Sequence, residues 1–149
     1  MKTILKLTVL SILSTLTFSS CSKDSNTVAK SNTELLTQKN WKFEIYGLDE
    51  NNNGTIEQSE NSMMPCEADD LFKFNANGTG VFTGGTIDCS LGEPATINFN
   101  WTFSNNETEL AVFAAPEKIN KLNEGILEVY YMDQNSQGQP VKFIRRFQH

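Results

Sequence analysis

The chain has 149 residues, with 18 Asp and Glu against 12 Lys and Arg, which gives a formal net charge of −6 at pH 7. An acidic chain without a basic patch repels the phosphate backbone, so nucleic-acid binding is excluded. The single histidine, His149, is the last residue, where we expect a frayed end. The sequence has no nucleophile-elbow, phosphate-loop or dinucleotide-binding motif, and we therefore predict that the protein is not an enzyme.

Residues 1–20 are typical of an export signal. A basic start and an apolar stretch from Ile4 to Phe18 precede two small residues and Cys21. The apolar stretch is shorter than the roughly 20 residues that a membrane-spanning helix needs. The junction resembles the lipobox of bacterial lipoproteins, which implies that Cys21 is lipidated and begins the mature chain. The alternative is an ordinary cleaved signal in which this cysteine is incidental.

Residues 21–32 are polar and have no apolar pattern, which predicts a flexible tether. The first of them, Cys21-Ser-Lys-Asp24, resemble the acidic tag with which Bacteroidota export some lipoproteins to the outer face of the outer membrane. This resemblance implies an outer-membrane lipoprotein. It leaves open whether the protein lies on the periplasmic or the cell-surface face of that membrane. The signal contains two lysines and no acidic residue, so the remaining 129 residues have a formal net charge of −8.

A single folded domain is predicted for residues 33–149, because 129 mature residues are enough for one domain with a core. A short helix is expected at its start, where Ser31-Asn-Thr-Glu34 has the pattern of a capping box and two leucines follow. Residues Trp41 to Tyr46 then alternate between apolar and polar side chains, which indicates a strand.

The twelve residues Asp49–Glu60 match the calcium loop of an EF-hand. Calcium takes six to eight oxygen ligands, which alternate side chains of a coiled loop can supply, and Gly54 stands where such a loop turns sharply. Because a strand and not a helix precedes the loop, we predict one structural Ca²⁺ between strands. The alternative is an ordinary turn rich in Asn, Asp and Gly. The predicted ligands are Asp49, Asn51, Asn53, the Thr55 carbonyl, Glu57 and Glu60.

Two cysteines, Cys66 and Cys89, remain once Cys21 carries a lipid, and an even number suits an oxidising compartment. The turn signal at Asn77-Gly78 lies about midway between them. A hairpin that folds at this turn brings the two cysteines opposite each other, so we predict a disulfide. A redox or metal-binding role for the pair lacks a neighbouring His or Cys.

A second acidic group consists of Glu67, Asp69 and Asp70. Paired carboxylates of this kind carry out acid/base catalysis in glycosidases. We interpret these three instead as solvated residues at the start of a strand, or as support for the calcium loop.

About eight short strands, with turns every 8 to 12 residues, follow from the alternation of apolar and polar side chains. In the clearest run, Ile97–Phe103, the polar residues Asn98, Asn100 and Thr102 are expected on the outer face. Pro116 is expected to end the strand before it. The pattern predicts an all-β antiparallel meander, closed into a barrel or folded as a sandwich. The predicted strands lie at 41–46, 72–74, 81–83, 97–103, 110–113, 119–122, 126–132 and 141–147.

The order of these motifs resembles that of the small lipocalin-like lipoproteins of Bacteroidota, over nearly all of the chain from Leu35. It runs from Trp41 and the Asp/Asn/Gly loop through the two cysteines to Trp101-Thr-Phe-Ser-Asn-Asn106. The resemblance implies an up-and-down, lipocalin-like β-barrel in which Trp41 lies near the closed end. It also implies that Arg145 or Arg146, on the last strand, covers the ring of this tryptophan.

Two functions are compatible with the sequence. The first is a monomeric, lipid-anchored binding protein of the cell envelope that takes a small apolar ligand or a surface partner. The second is a structural or adhesive surface lipoprotein whose barrel has no small-molecule pocket. An interior cavity of roughly 300 Å³ or more would favour the first. A barrel filled by Phe99, Trp101 and Phe103 would favour the second.

Overall fold

The computed structural model describes residues 29–87, 89 and 96–149. The predicted signal, the lipidation site Cys21 and most of the tether lie outside these residues. The described residues form one short α-helix, one 3₁₀ turn at Pro65–Glu67 and eight strands. None of the described helices is long and apolar enough to cross a membrane. The elements are α1 (Asn32–Thr37), β1 (Lys42–Leu48), β2 (Leu71–Phe74), β3 (Thr79–Thr83), β4 (Thr96–Ser104), β5 (Glu109–Val112), β6 (Ala115–Leu122), β7 (Ile126–Gln134) and β8 (Pro140–Gln148).

The eight strands form one antiparallel sheet in which each strand from β2 to β7 pairs with the next one along the chain, and β1 pairs with β8. The two ends of the sheet meet at a bridge between Trp41 and Phe72. The N–H of each of these residues donates to the carbonyl of the other, at 2.8 and 2.7 Å. The sheet is therefore closed into an up-and-down barrel, and the predicted all-β, lipocalin-like fold class with a short N-terminal helix is confirmed.

In an up-and-down barrel, successive connections between strands alternate between the two ends. The connections β1–β2, β3–β4, β5–β6 and β7–β8 lie at one end, which we call the open end. The other three connections, helix α1 and the C-terminal residue lie at the opposite end, which we call the closed end. Lys30, just before α1, forms an ion pair of 2.8 Å with Glu124 in the β6–β7 connection.

Helix α1 covers the closed end. The predicted capping box is present: the Glu34 N–H donates to the Ser31 hydroxyl at 3.2 Å, and the Ser31 N–H donates to the Glu34 carboxylate at 2.8 Å. Leu36 is fully buried in the core, and its carbonyl accepts a 2.8 Å hydrogen bond from the indole of Trp41. The helix is thus held by its cap and by this buried bond.

The ring packed on Trp41 is that of His149, with ring centroids 3.8 Å apart. A ring nitrogen of His149 also lies 2.9 Å from the carbonyl of Asn40. The expectation of a frayed C-terminus was therefore wrong. The expectation that Arg145 or Arg146 covers Trp41 was also wrong, because the buried carboxylates of Glu117 and Glu128 hold the two guanidinium groups.

The aromatic residues of β4 point into the barrel, as their spacing predicts. Phe99 and Trp101 are buried, and each packs edge-on against Phe74, with centroid distances of 5.3 and 5.9 Å. The intervening residues Asn98, Asn100 and Thr102 are exposed on the outer face, as expected. The part of the barrel interior near the closed end is therefore filled by side chains.

Pro116 lies within a strand, contrary to the expectation that it ends one. The chain reverses before it, at Phe113 and Ala114, whose φ angles of 53° and 65° are those of a tight two-residue hairpin turn. Pro116 then pairs with Ala111 of β5, while pairing with β7 begins only at Lys118. The missing proline N–H costs no ladder bond at this place, so β6 is a full strand of eight residues.

Candidate functional site

The barrel interior contains a cavity of about 80 Å³. Its apolar walls include Phe72, Val129 and Phe147, while Phe113 and Ala115 of the β5–β6 hairpin lie at its mouth. Most small-molecule pockets measure roughly 300–1,000 Å³, and a cavity of about 150 Å³ can hold benzene. The volume is therefore below the roughly 300 Å³ that would favour a binding function, and it suits a ligand of only a few non-hydrogen atoms.

One ion pair, between Glu117 of β6 and Arg145 of β8, lies in the cavity wall. The Glu117 side chain is 10% exposed and the Arg145 side chain 35% exposed. The Arg145 Nη2 donates to Oε1 of Glu117, and the guanidinium lies 5.9 Å from the centroid of the Tyr131 ring. The Nε of Arg145 is buried and has no acceptor among the residues that the structure describes. The cavity is thus mainly apolar, with one ion pair in its wall.

Sequence reasoning did not assign this pair. Arg145 was considered only as a cover for Trp41, and Glu117 was not considered because a strand was not expected to begin beside Pro116. A signal was present nonetheless: Glu117 and Ile119, two residues apart, share one face of their strand, as do Arg145 and Phe147. A charge at the inward position on each of two strands of a barrel indicates an interior ion pair.

At the open end, two carboxylates of the second acidic group, those of Asp69 and Asp70, accept hydrogen bonds from the β3–β4 connection. The Gly85 N–H donates to Asp70 at 2.8 Å, and the N–H and hydroxyl of Thr86 donate to Asp69 at 2.7 and 2.9 Å. The bond from the Thr86 N–H is the main reason why the pKa of Asp69 is lowered, whereas burial raises the pKa of Asp70. These two carboxylates fasten the β1–β2 connection to the β3–β4 connection.

The predicted disulfide between Cys66 and Cys89 is present and joins the same two connections. The Cα atoms lie 5.2 Å apart, within the range that disulfide geometry permits. The hairpin of β2 and β3 turns at Gly78, whose φ is +82°, and so brings the two cysteines together as predicted. The disulfide prediction is confirmed.

Residues 49–60 form a tightly coiled loop in the β1–β2 connection. Asp49 is 1% exposed, and its two carboxylate oxygens accept the N–H groups of Asn53 and Gly54, both at 2.9 Å. The Asp49 N–H donates to the carbonyl of Lys142 at 2.8 Å, which attaches the loop to β8. At the other end of the loop, the Glu60 backbone packs so closely on Gly47 that a Cβ there would lie 2.0 Å from the Glu60 carbonyl oxygen. The loop is therefore held firmly against the barrel.

The donor set of this loop suits calcium in its chemistry, because every predicted ligand atom is oxygen. The Asn53 N–H is shared by Oδ1 of Asp49 and Oδ1 of Asn51, each at 2.9 Å, so these two oxygens lie on the same side of the loop. No three His, Cys, Asp or Glu side chains of the described residues are close enough to hold a metal ion. A calcium ion here would depend on the asparagine oxygens as well as on the carboxylates. The residues that would hold it are Asp49, Asn51, Asn53, Thr55 through its carbonyl, Glu57 and Glu60.

The charge of the protein is concentrated at the open end. The β1–β2 connection, residues 49–70, contains seven acidic residues and no Lys or Arg, so its formal net charge is −7. The formal net charge of residues 21–149 as a whole is −8. The large apolar side chains that are exposed in the described residues lie in the open-end connections or in the strand halves next to them, and Met64 and Phe113 are the clearest, at 50% and 55%. The open end thus carries both the acidic β1–β2 connection and most of the exposed apolar side chains.

Comparison with protein-family models and with curated proteins gave no match. Among solved structures, the chain is similar to one described as a complex of bovine odorant binding protein with a selenium-containing odorant. The identity is 16%, the similar region covers 80% of this chain and 73% of the other, and the TM-score is 0.41. The odorant is a ligand of that bovine protein, and the cavity of this chain has to be interpreted from its own side chains.

Proposed function

We propose that the protein is a lipid-anchored, lipocalin-like binding protein of the cell envelope that takes a small ligand in the barrel interior. The observation that carries this proposal is the cavity inside the closed barrel, whose otherwise apolar wall contains the Glu117–Arg145 ion pair. Replacing a buried ion pair with apolar side chains of similar volume is often neutral or stabilising. A barrel selected only for a solid core would therefore have no reason to retain this ion pair beside an empty volume.

The proposed anchor and the fold together give the protein an orientation. Lipidation at Cys21 leaves only residues 22–28 before the first described residue, and Lys30 is attached to the closed end through Glu124. Seven residues span at most about 25 Å when extended. In this proposal the closed end lies within about 25 Å of the membrane, and the cavity mouth lies at the other end of the barrel, on whichever side of the outer membrane the protein is anchored.

The proposed calcium ion is structural and belongs to the loop at residues 49–60. Bound there, it would neutralise part of the acidic charge of the open end and hold the β1–β2 connection in its coiled form. Asp49 and Glu60 are the ligands that the fold positions best, because Asp49 is tied to β8 and Glu60 packs on Gly47. The ion supplies no chemistry to the cavity in this proposal.

A second candidate function is a structural or adhesive surface protein with a solid barrel. The small cavity volume of about 80 Å³ favours this candidate, as do the aromatic side chains that fill the barrel interior near the closed end. In that case the exposed apolar and acidic open end would contact a surface partner directly. The two candidates differ in whether the cavity is occupied when the protein comes from its own host.

The test compares two variants that introduce the same side chain on opposite faces of the β5–β6 hairpin. Ala115→Trp fills the cavity mouth, whereas Ala111→Trp places the ring on the outer face, where its partner Thr102 is exposed. Each protein is purified from its own host and examined by native mass spectrometry and by mass spectrometry of a solvent extract. We expect one small molecule per chain in the wild type and in Ala111→Trp, and none in Ala115→Trp. A wild type without a ligand, or a ligand retained in both variants, would instead support the solid-barrel candidate.

A further inference from the structure

Large apolar side chains are exposed at one end of the barrel. Among the residues that the structure describes, seven such side chains are exposed, and all of them lie in the open-end connections or in the strand halves beside them. Single exposed apolar side chains are normal on a protein surface, whereas a concentration of them among polar groups marks an interaction site. The open end is therefore a candidate docking surface.

Two of these side chains stand on a rigid frame. Met64 and Ile87, which are 50% and 53% exposed, each precede by two residues one half of the Cys66–Cys89 disulfide. The carboxylate hydrogen bonds from the β3–β4 connection fasten the same two segments. We call these segments, residues 64–70 and 85–87, the stapled surface. Because the frame is already ordered, a partner that packs on it costs the protein little conformational entropy.

The charge of the molecule is distributed as unequally as its exposed apolar side chains. The four open-end connections, residues 49–70, 84–95, 113–114 and 135–139, contain no Lys or Arg. Residues 49–70 hold a formal net charge of −7 out of the −8 of residues 21–149, which leaves −1 for all the others. The stapled surface thus lies where nearly all of the net negative charge is.

We propose that the stapled surface is a docking site for a basic, amphipathic polypeptide segment of another protein. The apolar side chains of this segment pack on Met64 and Ile87, and its Lys or Arg side chains face the carboxylates of the β1–β2 connection. Methionine is enriched at the centres of protein interfaces, and complementary charge around such a centre raises the association rate and the specificity. The proposal goes beyond the proposed function, since it does not require a ligand in the cavity.

The charge selects against other occupants of this surface. Nucleic acid and an anionic membrane are repelled by it. A second copy of this chain, docked open end to open end, would place two formal net charges of −7 against each other. A small polycation such as spermine would neutralise carboxylates but leave the apolar side chains in water. A basic polypeptide segment with apolar side chains covers both.

Four probes separate the contribution of charge from that of apolar contact. The first is a short amphipathic helical peptide of leucine and lysine. The second has serine in place of each leucine, the third has glutamate in place of each lysine, and the fourth is spermine. Binding to the purified protein is measured by fluorescence anisotropy, with spermine as an unlabelled competitor and with a chelator present, so that calcium does not compete for the carboxylates.

We expect the leucine–lysine peptide to bind about tenfold more tightly than the serine peptide and spermine, because only this peptide buries apolar surface as well as pairing charges. The glutamate peptide should not bind. Added salt should weaken binding of the leucine–lysine peptide, since the charges on the surface are exposed to solvent.

Apolar variants locate the site. Met64→Ser/Ile87→Ser should weaken binding of the leucine–lysine peptide about tenfold. Met132→Ser is the matched control, because this methionine is 56% exposed on β7, away from the stapled surface, and binding to the control should match the wild type.

Charge variants provide a second test that leaves the apolar side chains in place. Glu50→Gln/Glu57→Gln removes two exposed carboxylates from the β1–β2 connection and should weaken binding several-fold at low salt. Glu44→Gln/Glu107→Gln removes the same charge from exposed positions on β1 and in the β4–β5 connection, and it should have a smaller effect.

The outcomes distinguish the partner class from its alternatives. If the leucine–lysine peptide does not bind, or binds the Met64→Ser/Ile87→Ser variant as tightly as the wild type, the stapled surface is not the docking site. If the serine peptide or spermine binds equally well, the surface attracts cations in general and the proposed partner is wrong. A wild-type dimer that Met64→Ser/Ile87→Ser converts into a monomer in sedimentation would show that a second copy covers the surface instead. The cavity is tested separately by Ala115→Trp, so failure here leaves the proposed function standing.

Discussion

The phenol of Tyr46, in β1, donates a 2.6 Å hydrogen bond to Oε2 of Glu67, in the 3₁₀ turn before β2. The same carboxylate oxygen accepts the N–H of Met64 at 2.7 Å. Burial, followed by the bond to Glu67, raises the pKa of Tyr46 to about 12. This one contact therefore links the first strand to the connection that carries the disulfide, and it gives the barrel a pH dependence under alkaline conditions.

We predict that the contribution of Tyr46 to stability is complete below about pH 10 and is lost as the pH rises to about 12. The sign follows from the raised pKa: the folded state keeps its phenol proton in a range where the unfolded chain releases it. Thermal unfolding measured from pH 9 to 12 should show a steeper loss of Tm in the wild type than in Tyr46→Phe. Parallel curves for the two proteins would contradict this assignment.

The disulfide should stabilise the folded state by closing a loop of 23 residues in the unfolded chain. The chain-entropy model gives about 3 kcal/mol for a loop of this size. Urea unfolding of the Cys66→Ser/Cys89→Ser variant should therefore show a lower midpoint than the oxidised wild type. Dithiothreitol should lower the midpoint of the wild type and leave that of the variant unchanged. A wild-type midpoint that does not respond to dithiothreitol would mean that the disulfide adds no stability.

Local patterns in the sequence were enough to predict most of the fold. The alternation in 97–103 placed Phe99 and Trp101 inside the barrel, and the turn at Asn77-Gly78 placed the two cysteines opposite each other. Each of these predictions depends on residues that are neighbours in the chain or in one hairpin. Their geometry is fixed by side-chain period and turn type, which a single sequence shows directly.

The parts that sequence reasoning missed depend on contacts between distant residues. Glu117 and Arg145 are 28 residues apart on strands that are separated in the sheet by β7, so no local pattern pairs them. His149 meets Trp41 only because the barrel closes and places the last residue beside the first strand. Both contacts follow from closure of the sheet, which alternation alone did not distinguish from a sandwich.

Lipidation at Cys21 is a prediction that concerns the part of the chain before the described residues. The Cys21→Ser variant should leave the membrane fraction or keep its signal uncleaved, because the thiol is the group that would receive the lipid. The Cys66→Ser/Cys89→Ser variant makes the same substitution at two other cysteines and should remain in the membrane fraction. Cell fractionation with mass determination of the mature protein provides the measurement. A Cys21→Ser protein that is processed and bound to membranes like the wild type would place the anchor elsewhere.

Calcium should stabilise the loop of residues 49–60 only weakly. Asparagine at two ligand positions reduces the negative charge of the site, and no helix pair flanks it, so we expect a Kd of roughly 10⁻⁴–10⁻³ M. At a calcium concentration a few times higher than the Kd, mass action contributes about 1 kcal/mol, or roughly 4 °C in Tm.

The decisive comparison is between Glu60→Gln and Glu50→Gln. Both remove one negative charge from the same loop, but Glu60 stands at the bidentate ligand position, whereas Glu50 is exposed at a position that supplies no ligand. The Glu60 carboxylate also accepts the N–H of Glu57 at 2.9 Å, and a glutamine oxygen can still accept this bond. The rise of Tm on adding millimolar calcium, relative to a chelator, should therefore persist in the wild type and in Glu50→Gln and disappear in Glu60→Gln. An equal rise in all three proteins would place the ion outside this loop, and no rise in any of them would mean that the loop is only a turn.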